Sequence, residues 1–384
     1  FTITEEINDV VREHNKGFSY IYFSEESIEK GNINGKRLLD KEEVKKIFER
    51  ISKTITEFKH FCKMLQMVDL KSVSKKQIIE AVKMYKRQMI FGQKMFRASD
   101  PSATNVMEEK IRKILSRHYN DKDIVKYLSV LLTSVKLDKT QQELIEWHRL
   151  LKEKEKISDE HLLKHALNYP ANYANTWSYK EIVLHLREKL LKENIDEIEE
   201  EIKKLKEFKQ EIKEKQEKIY AELKNEKDLK HYSETLQELA IKRFELKHCW
   251  SGAETLCLDF LKDIAKKVGI DFETFMASYN FTDVITFFEE GKRLSETEIE
   301  ERKDYSILHY KEGKLIYLYG QEAREYFKNL YSLEEAKKEL KGTIANKGIA
   351  KGRVRIVIVD DLAKFVEDSK EFQQGEILVT TMTS

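Results

Sequence analysis

The stretch LDKEEVKKIFERISKTITEFKHFCKMLQMV, residues 39–68, sets Val44, Ile47, Phe48, Ile51, Ile55, Phe58, Phe61 and Leu65 at steps of three and four. That period lines all of them along one face of a helix, so a long amphipathic helix is predicted from Asp40 onward. Helical spacing continues to about residue 165. It breaks at Ser99-Asp100-Pro101-Ser102, where proline after aspartate suits a helix start, and again at Ser158-Asp159-Glu160. Residues 41–190 therefore read as a helical bundle.

Composition agrees. The chain has 384 residues, of which only two are proline and 13 glycine, so chain breakers are few and helix is favoured across most of its length. Its 70 Lys+Arg and 69 Asp+Glu leave a net charge of +1. No long-range field draws in nucleic acid or an anionic membrane, and neither is expected as a partner. No run of about 18 consecutive apolar residues exists, and the N-terminus has no basic segment followed by an apolar core. The three cysteines, Cys62, Cys249 and Cys257, are odd in number and far apart, which fits a reducing, cytoplasmic location. The chain begins at Phe1 rather than Met, and both ends are expected to be truncations.

Four further segments frame the bundle. Residues 1–40 contain GFSYIYF at 17–23, a short aromatic and β-branched run that reads as the tail of an α/β unit. Over 191–245, Leu191, Ile195, Ile198, Ile202, Leu205, Ile212, Ile219 and Leu223 fall largely in a heptad filled out with Lys and Glu. The seam is polar at Lys209 and Gln216, the run 224–228 interrupts it, and Leu229, Tyr232, Leu236 and Leu239 restart the spacing. An antiparallel coiled-coil hairpin is the economical reading. It is either an arm that grips a protein partner or a second copy, or a solvated spacer. Residues 246–340 read as a helical connector, with Gly269 as a C-cap and a β-hairpin in SILHYKEGKLIYLYG, 306–320. Residues 341–384 hold further strands in GRVRIVIVDD and GEILVTT.

Chemistry-bearing motifs are sparse. The histidines are scattered, and only His161 and His165 stand at an i, i+4 step. EHLLKH lacks the glutamate between them that a zinc protease helix needs, so no metal site is expected and a solvated or capping role is favoured. His248 and Cys249 are adjacent and diverge by about 100 degrees on a helix, so the two alone cannot form a nucleophile–base pair. No Walker loop, GxGxxG or GxSxG motif is present. The irregular stretch HALNYPANYANTWSY, 165–179, reads as a structured loop or lid, either packed on the bundle or bordering a substrate pocket.

The C-terminal glycines carry a more specific signal. GTIANKGIAKGRVRIV, followed about twenty residues later by GEILVTTMTS, resembles the opening of the mobile domain of the phosphoenolpyruvate-utilising enzymes, a family that includes phosphoenolpyruvate synthase, pyruvate phosphate dikinase and rifampicin phosphotransferase. The matching elements are Gly342, Gly348, residues 352–357, residues 375–379 and residues 380–383. YNFTDVITFFEEG, with residues 299–302, is similar to the helix-plus-arginine segment before that domain. The resemblance covers roughly residues 270–384. It leaves residues 1 to about 270 unassigned and implies that the chain closes on the start of a β/β/α swivelling domain; with the helical spacing before it, the fold expected is mainly α, a helical bundle with a coiled-coil helical hairpin followed by that domain.

The implied function of the full-length protein is phosphotransfer. A phosphoryl group passes from ATP or phosphoenolpyruvate, with Mg2+, to a histidine on the swivelling domain and then to a small-molecule acceptor. That histidine is expected beyond Ser384, since residues 342–384 contain none. No catalytic residue is assigned within the chain. The phosphate-proximal candidates are Thr380, Thr381, Thr383, Arg353 and Arg355, with turn capping and solvated strand charge as their ordinary alternatives. Strand alternation sets Arg353 and Arg355 on one face and turns Val354 and Ile356 to the core. The competing reading is a non-catalytic helical scaffold or regulatory protein that carries such a domain and binds a partner through the hairpin.

Overall fold

The structure, a computed structural model, describes residues 9–15, 18–97, 99–174, 176, 178–311, 314–330, 351–357, 373 and 375–380. Strands β1 (Asp9–Asn15) and β2 (Phe18–Phe23) precede helix α1 (Glu25–Gly35). Helices α2 (Lys41–Gln66), α3 (Lys75–Arg97), α4 (Pro101–Leu115) and α5 (Asp121–Leu132) come next. They lead to α6 (Lys139–Lys152), α7 (Asp159–Asn168) and α8 (Tyr179–Lys192). The long helices α9 (Ile195–Glu222) and α10 (Leu229–Trp250) follow. Then come α11 (Ala253–Leu256), α12 (Leu258–Val268), α13 (Phe272–Ser278), α14 (Phe281–Glu290) and α15 (Glu296–Asp304). Strands β3 (Tyr305–Lys311) and β4 (Lys314–Tyr319), helix α16 (Gly320–Leu330), and strands β5 (Val354–Val357) and β6 (Ile377–Thr380) complete the order. The protein is mainly helical with a small antiparallel sheet.

Local chemistry explains where the helices begin and end. The Asp40 carboxylate accepts from the amides of Glu42 and Glu43 and so starts α2, satisfying donors that an uncapped helix leaves orphaned. Gly269 ends α12 at φ +84, in the left-handed region that glycine enters without steric cost. On α2, Val44, Ile51, Ile55, Phe58 and Leu65 are buried, with Ile47, Phe48 and Phe61 packed beside them. This is the face that the three- and four-residue spacing predicts. A main core joins that face to α3, α10 and α12, a second forms around Leu115, Leu131 and Ile219, and a third around Trp147, Leu162 and Leu186.

Two tertiary relationships lie beyond the reach of the local sequence pattern. Residues 18–23, from the run read as the tail of an α/β unit, form an edge strand of a sheet shared with residues 305–311 and 314–319. Strands β2, β1, β3 and β4, in that order, form one antiparallel sheet in which Val11 pairs with His309 and Glu13 with Ile307. A two-stranded hairpin is marginal alone, and each hairpin here gains the other as its neighbour.

Helices α9 and α10 pack mainly on other helices rather than along each other. Helix α9 lies on α6 and α5, whereas α10 packs along α2, α3 and α4 and also touches α5 and α6. They meet near their connecting turn, where Tyr220 Oη and Ser233 Oγ are 2.8 Å apart. The polar seam positions account for this choice. Lys209 Nζ donates to the Ser134 carbonyl at 2.7 Å, and Gln216 Nε2 donates to those of Val130 and Thr133 at 2.8 and 2.7 Å. These carbonyls lie at and just beyond the end of α5, where a helix leaves acceptors unpaired. Among the described residues, no helix is long and apolar enough to cross a membrane.

Candidate functional site

The phosphate-proximal candidates fall on the short parallel pair β5–β6, in which Val354 aligns with Ile377 and Val357 with Thr380. Arg353 is exposed, and its carbonyl accepts from Ile377 N at 2.8 Å. Arg355 already has a partner. Its Nε and Nη2 reach the two carboxylate oxygens of Glu376 at 2.7 and 3.3 Å, and this fork holds Glu376 below the usual carboxylate range. Thr380 ends β6, while Thr381 and Thr383 lie outside the described residues. Val354 and Ile356, expected to face a core, are 55% and 65% exposed.

The glycines of this segment are demanded by geometry. Gly375 has φ +94, and a Cβ on Gly352 would stand 2.1 Å from the Gly375 carbonyl oxygen. A side chain at Gly352 would clash with that carbonyl, and one at Gly375 would be strained by the positive φ, so both positions favour glycine.

The stretch at 165–179 contributes to a second, interior cluster. His165, on α7, is 1% exposed, with Nε2 3.0 Å from Glu143 Oε1 and Nδ1 3.4 Å from Glu146 Oε1. Tyr169 Oη donates to Glu146 Oε2 at 2.8 Å. Burial pushes the Glu146 carboxyl up, but the Tyr169 hydrogen bond and the nearby His165 outweigh it and hold the group below its usual range. Burial and that carboxylate push the Tyr169 phenol up. Lys139 Nζ lies over the Tyr169 ring, 5.5 Å from its centroid, its pKa lowered by burial and by Lys59.

His248 joins the cluster from α10, with Nδ1 accepting from the Ala171 amide at 3.3 Å. That bond places the proton of the neutral ring on Nε2. Burial, then Lys139 and Lys59, lower its pKa to about 4, so the imidazole is neutral near pH 7. The arrangement ties α6, α7, the turn after α7 and α10 into one hydrogen-bonded unit. A carboxylate–imidazole–carboxylate chain is able to move a proton, but every member here is engaged by protein. The observed geometry is that of a loop packed on the bundle.

Sequence reasoning placed His165 among solvated or capping groups; the structure buries it between two carboxylates. Only tertiary placement shows this, although Glu143 and Glu146 at i, i+3 on α6, opposite His165 on α7 and Tyr169 four residues on at its C-cap, form a legible pair of spacings. His161 does cap, closing a reciprocal pair with Ser158. Burial raises the Cys249 thiol to about 12, which leaves no thiolate near neutral pH. Cys62 and Cys257 meet in the same interior: burial first, then the Cys62 thiol, raises Cys257.

The arginine of the α14–α15 segment is a structural tie. Arg302, 6% exposed, donates to Asp283 Oδ2 at 2.6 Å and to the Ser278 carbonyl at 3.2 Å. Its guanidinium lies 4.9 Å from the ring centroids of both Tyr317 and Tyr319. An open groove of about 740 Å³ between α2 and α3 is lined by Phe61, Met64, Ala81 and Met84. Among the described residues, no group of three or more His, Cys, Asp or Glu side chains is placed to hold a metal ion. No family model, curated protein or solved structure matches the chain.

Proposed function

We propose that this chain is part of a phosphotransferase of the phosphoenolpyruvate-utilising type, whose mobile domain opens at residues 341–384 and whose phosphorylated histidine lies outside residues 1–384. The helical region stands before that domain and contributes to the acceptor side. The donor is ATP or phosphoenolpyruvate with Mg2+, the acceptor is a small molecule, and the location is the cytoplasm. One observation carries the reading. The two glycine-led segments quoted for the resemblance pair as parallel strands, with Gly352 and Gly375 in an approach that only glycine allows.

The scaffold alternative, with partner binding through residues 191–245, has less support. Ile202, Ile212 and Ile219 of that seam are buried, and α9 lies on α5 and α6. The test is incubation of the full-length protein with radiolabelled ATP or phosphoenolpyruvate, followed by phosphopeptide analysis. An acid-labile, base-stable label on a histidine is expected. Absence of label with both donors overturns the proposal.

A further inference from the structure

Away from both clusters, Arg97 at the end of α3 and Arg243 on α10 converge on one carboxylate. Arg97 Nη1 reaches Asp100 Oδ2 and Arg243 Nη1 reaches Asp100 Oδ1, each at 2.7 Å. Arg243 Nη1 also lies 3.2 Å from Ser99 Oγ. Asp100 is the N-cap residue of α4 but makes no side-chain cap bond, so its carboxylate serves the arginines.

Each guanidinium also lies over an aromatic ring. Arg97 lies 3.8 Å from the centroid of Phe23, and Arg243 lies 3.9 Å from that of Phe96. Phe96 in turn meets Trp250 edge-on at 5.5 Å.

Two guanidiniums thus share one carboxylate, leaving one positive charge uncompensated. Each offers five N–H donors in a fixed fork, and among the described residues neither Arg97 nor Arg243 has an acceptor for its Nε or Nη2 hydrogens. The side chains are 23% and 36% exposed, so both guanidinium-bearing chains reach solvent in part. The neighbouring helical positions add no competing acid: Lys94 precedes Arg97 by one turn, and Lys247 follows Arg243 by one turn. Stacking has already removed much of the rotamer freedom that a ligand would otherwise have to freeze.

We propose that Arg97 and Arg243 form a binding site for an oxyanion, a phosphate or carboxylate group of a small molecule, held on their outward N–H edges while Asp100 fixes the inner ones. Planar bidentate recognition of such groups is what a guanidinium fork provides. The site is independent of the phosphoryl-transfer reading, because none of these residues belongs to the glycine-led segments.

The test is calorimetric titration of the protein with inorganic phosphate and, separately, acetate, with Trp250 emission followed in parallel. Saturable binding of either anion at millimolar concentration is expected, the stronger of the two naming the ligand class. Emission should change on binding, and Trp250→Phe should abolish that change. Arg97→Gln and Arg243→Gln should each weaken binding about tenfold or more, the loss of a charge-assisted hydrogen bond. Arg243→Lys keeps the charge but not the fork, and covers the case in which a glutamine variant unfolds: weaker binding at an unchanged melting temperature is expected of it. Wild-type protein that binds neither anion overturns the proposal, as does binding that these substitutions leave intact.

Discussion

Gln216, in the last two turns of α9, hydrogen-bonds Thr133, the residue that ends α5, with its Nε2 2.7 Å from the Thr133 carbonyl oxygen. The same nitrogen reaches the Val130 carbonyl at 2.8 Å, and Gln216 is 5% exposed. A buried carbonyl without a donor costs more than an ordinary hydrogen bond contributes. Gln216→Leu should therefore destabilise the protein by about 1–3 kcal/mol, read as a lower urea midpoint with an unchanged m-value. If α9 instead presented this seam to another coiled-coil strand, the same change would stabilise.

Arg302 and Asp283 should behave as a buried, mutually dependent pair. Their side chains are 6% and 15% exposed, with N and O 2.6 Å apart. Arg302→Met strands the Asp283 carboxylate and should cost about 3–5 kcal/mol. Adding Asp283→Asn should recover part of that loss. A double-mutant cycle measures the coupling, and additive effects would contradict it.

His248 makes a signed pH prediction. Its folded pKa of about 4 is below the ordinary value of 6.5. As pH falls from 6.5 towards 4 the unfolded chain takes up the proton before the folded chain does. Stability present above pH 6.5 is thus lost across that window, by up to about 3 kcal/mol. His248→Gln retains an acceptor for the Ala171 amide and does not titrate. Its stability should fall less steeply than that of the wild type between pH 6.5 and 4, compared by denaturant titration at several pH values.

The cysteines should be silent in the folded protein. Cys62, Cys249 and Cys257 are all buried, and burial raises the Cys249 thiol to about 12. A thiol reagent at pH 8 should label none of them at a rate above that of global opening, and all of them in guanidinium. Rapid labelling of any one under native conditions would contradict the buried placement.

Gly352→Ala should unpair β5 and β6, because its Cβ would stand 2.1 Å from the Gly375 carbonyl oxygen. The hydrogen bond from Ile377 N to Arg353 O, 2.8 Å in the wild type, should be lost. Amide exchange at Ile377 measures this directly, and unchanged protection would count against the pairing.

How far the sequence alone reaches depends on the range of the interaction. The eight apolar residues of 39–68 that share a helical face also share the core or its edge, and His161 and Gly269 cap helices as their local contexts suggest. Periodicity and capping act over three or four residues, so they are written in adjacent positions.

The partners of those faces are not written there. The heptad of α9 announces an apolar seam, but the choice of α5 and α6 over α10 depends on Lys209 and Gln216 meeting carbonyls that only the folded chain sets opposite them. The pairing of Val11 with His309, the burial of His165 between Glu143 and Glu146, and the meeting of Arg97 and Arg243 at Asp100 are of the same kind. The sequence by itself determined the helical character, the apolar faces, some helix ends and the glycine-led C-terminal segments. Tertiary structure decided which polar groups are buried together, because a buried donor must find its acceptor wherever the chain brings one, regardless of separation in sequence.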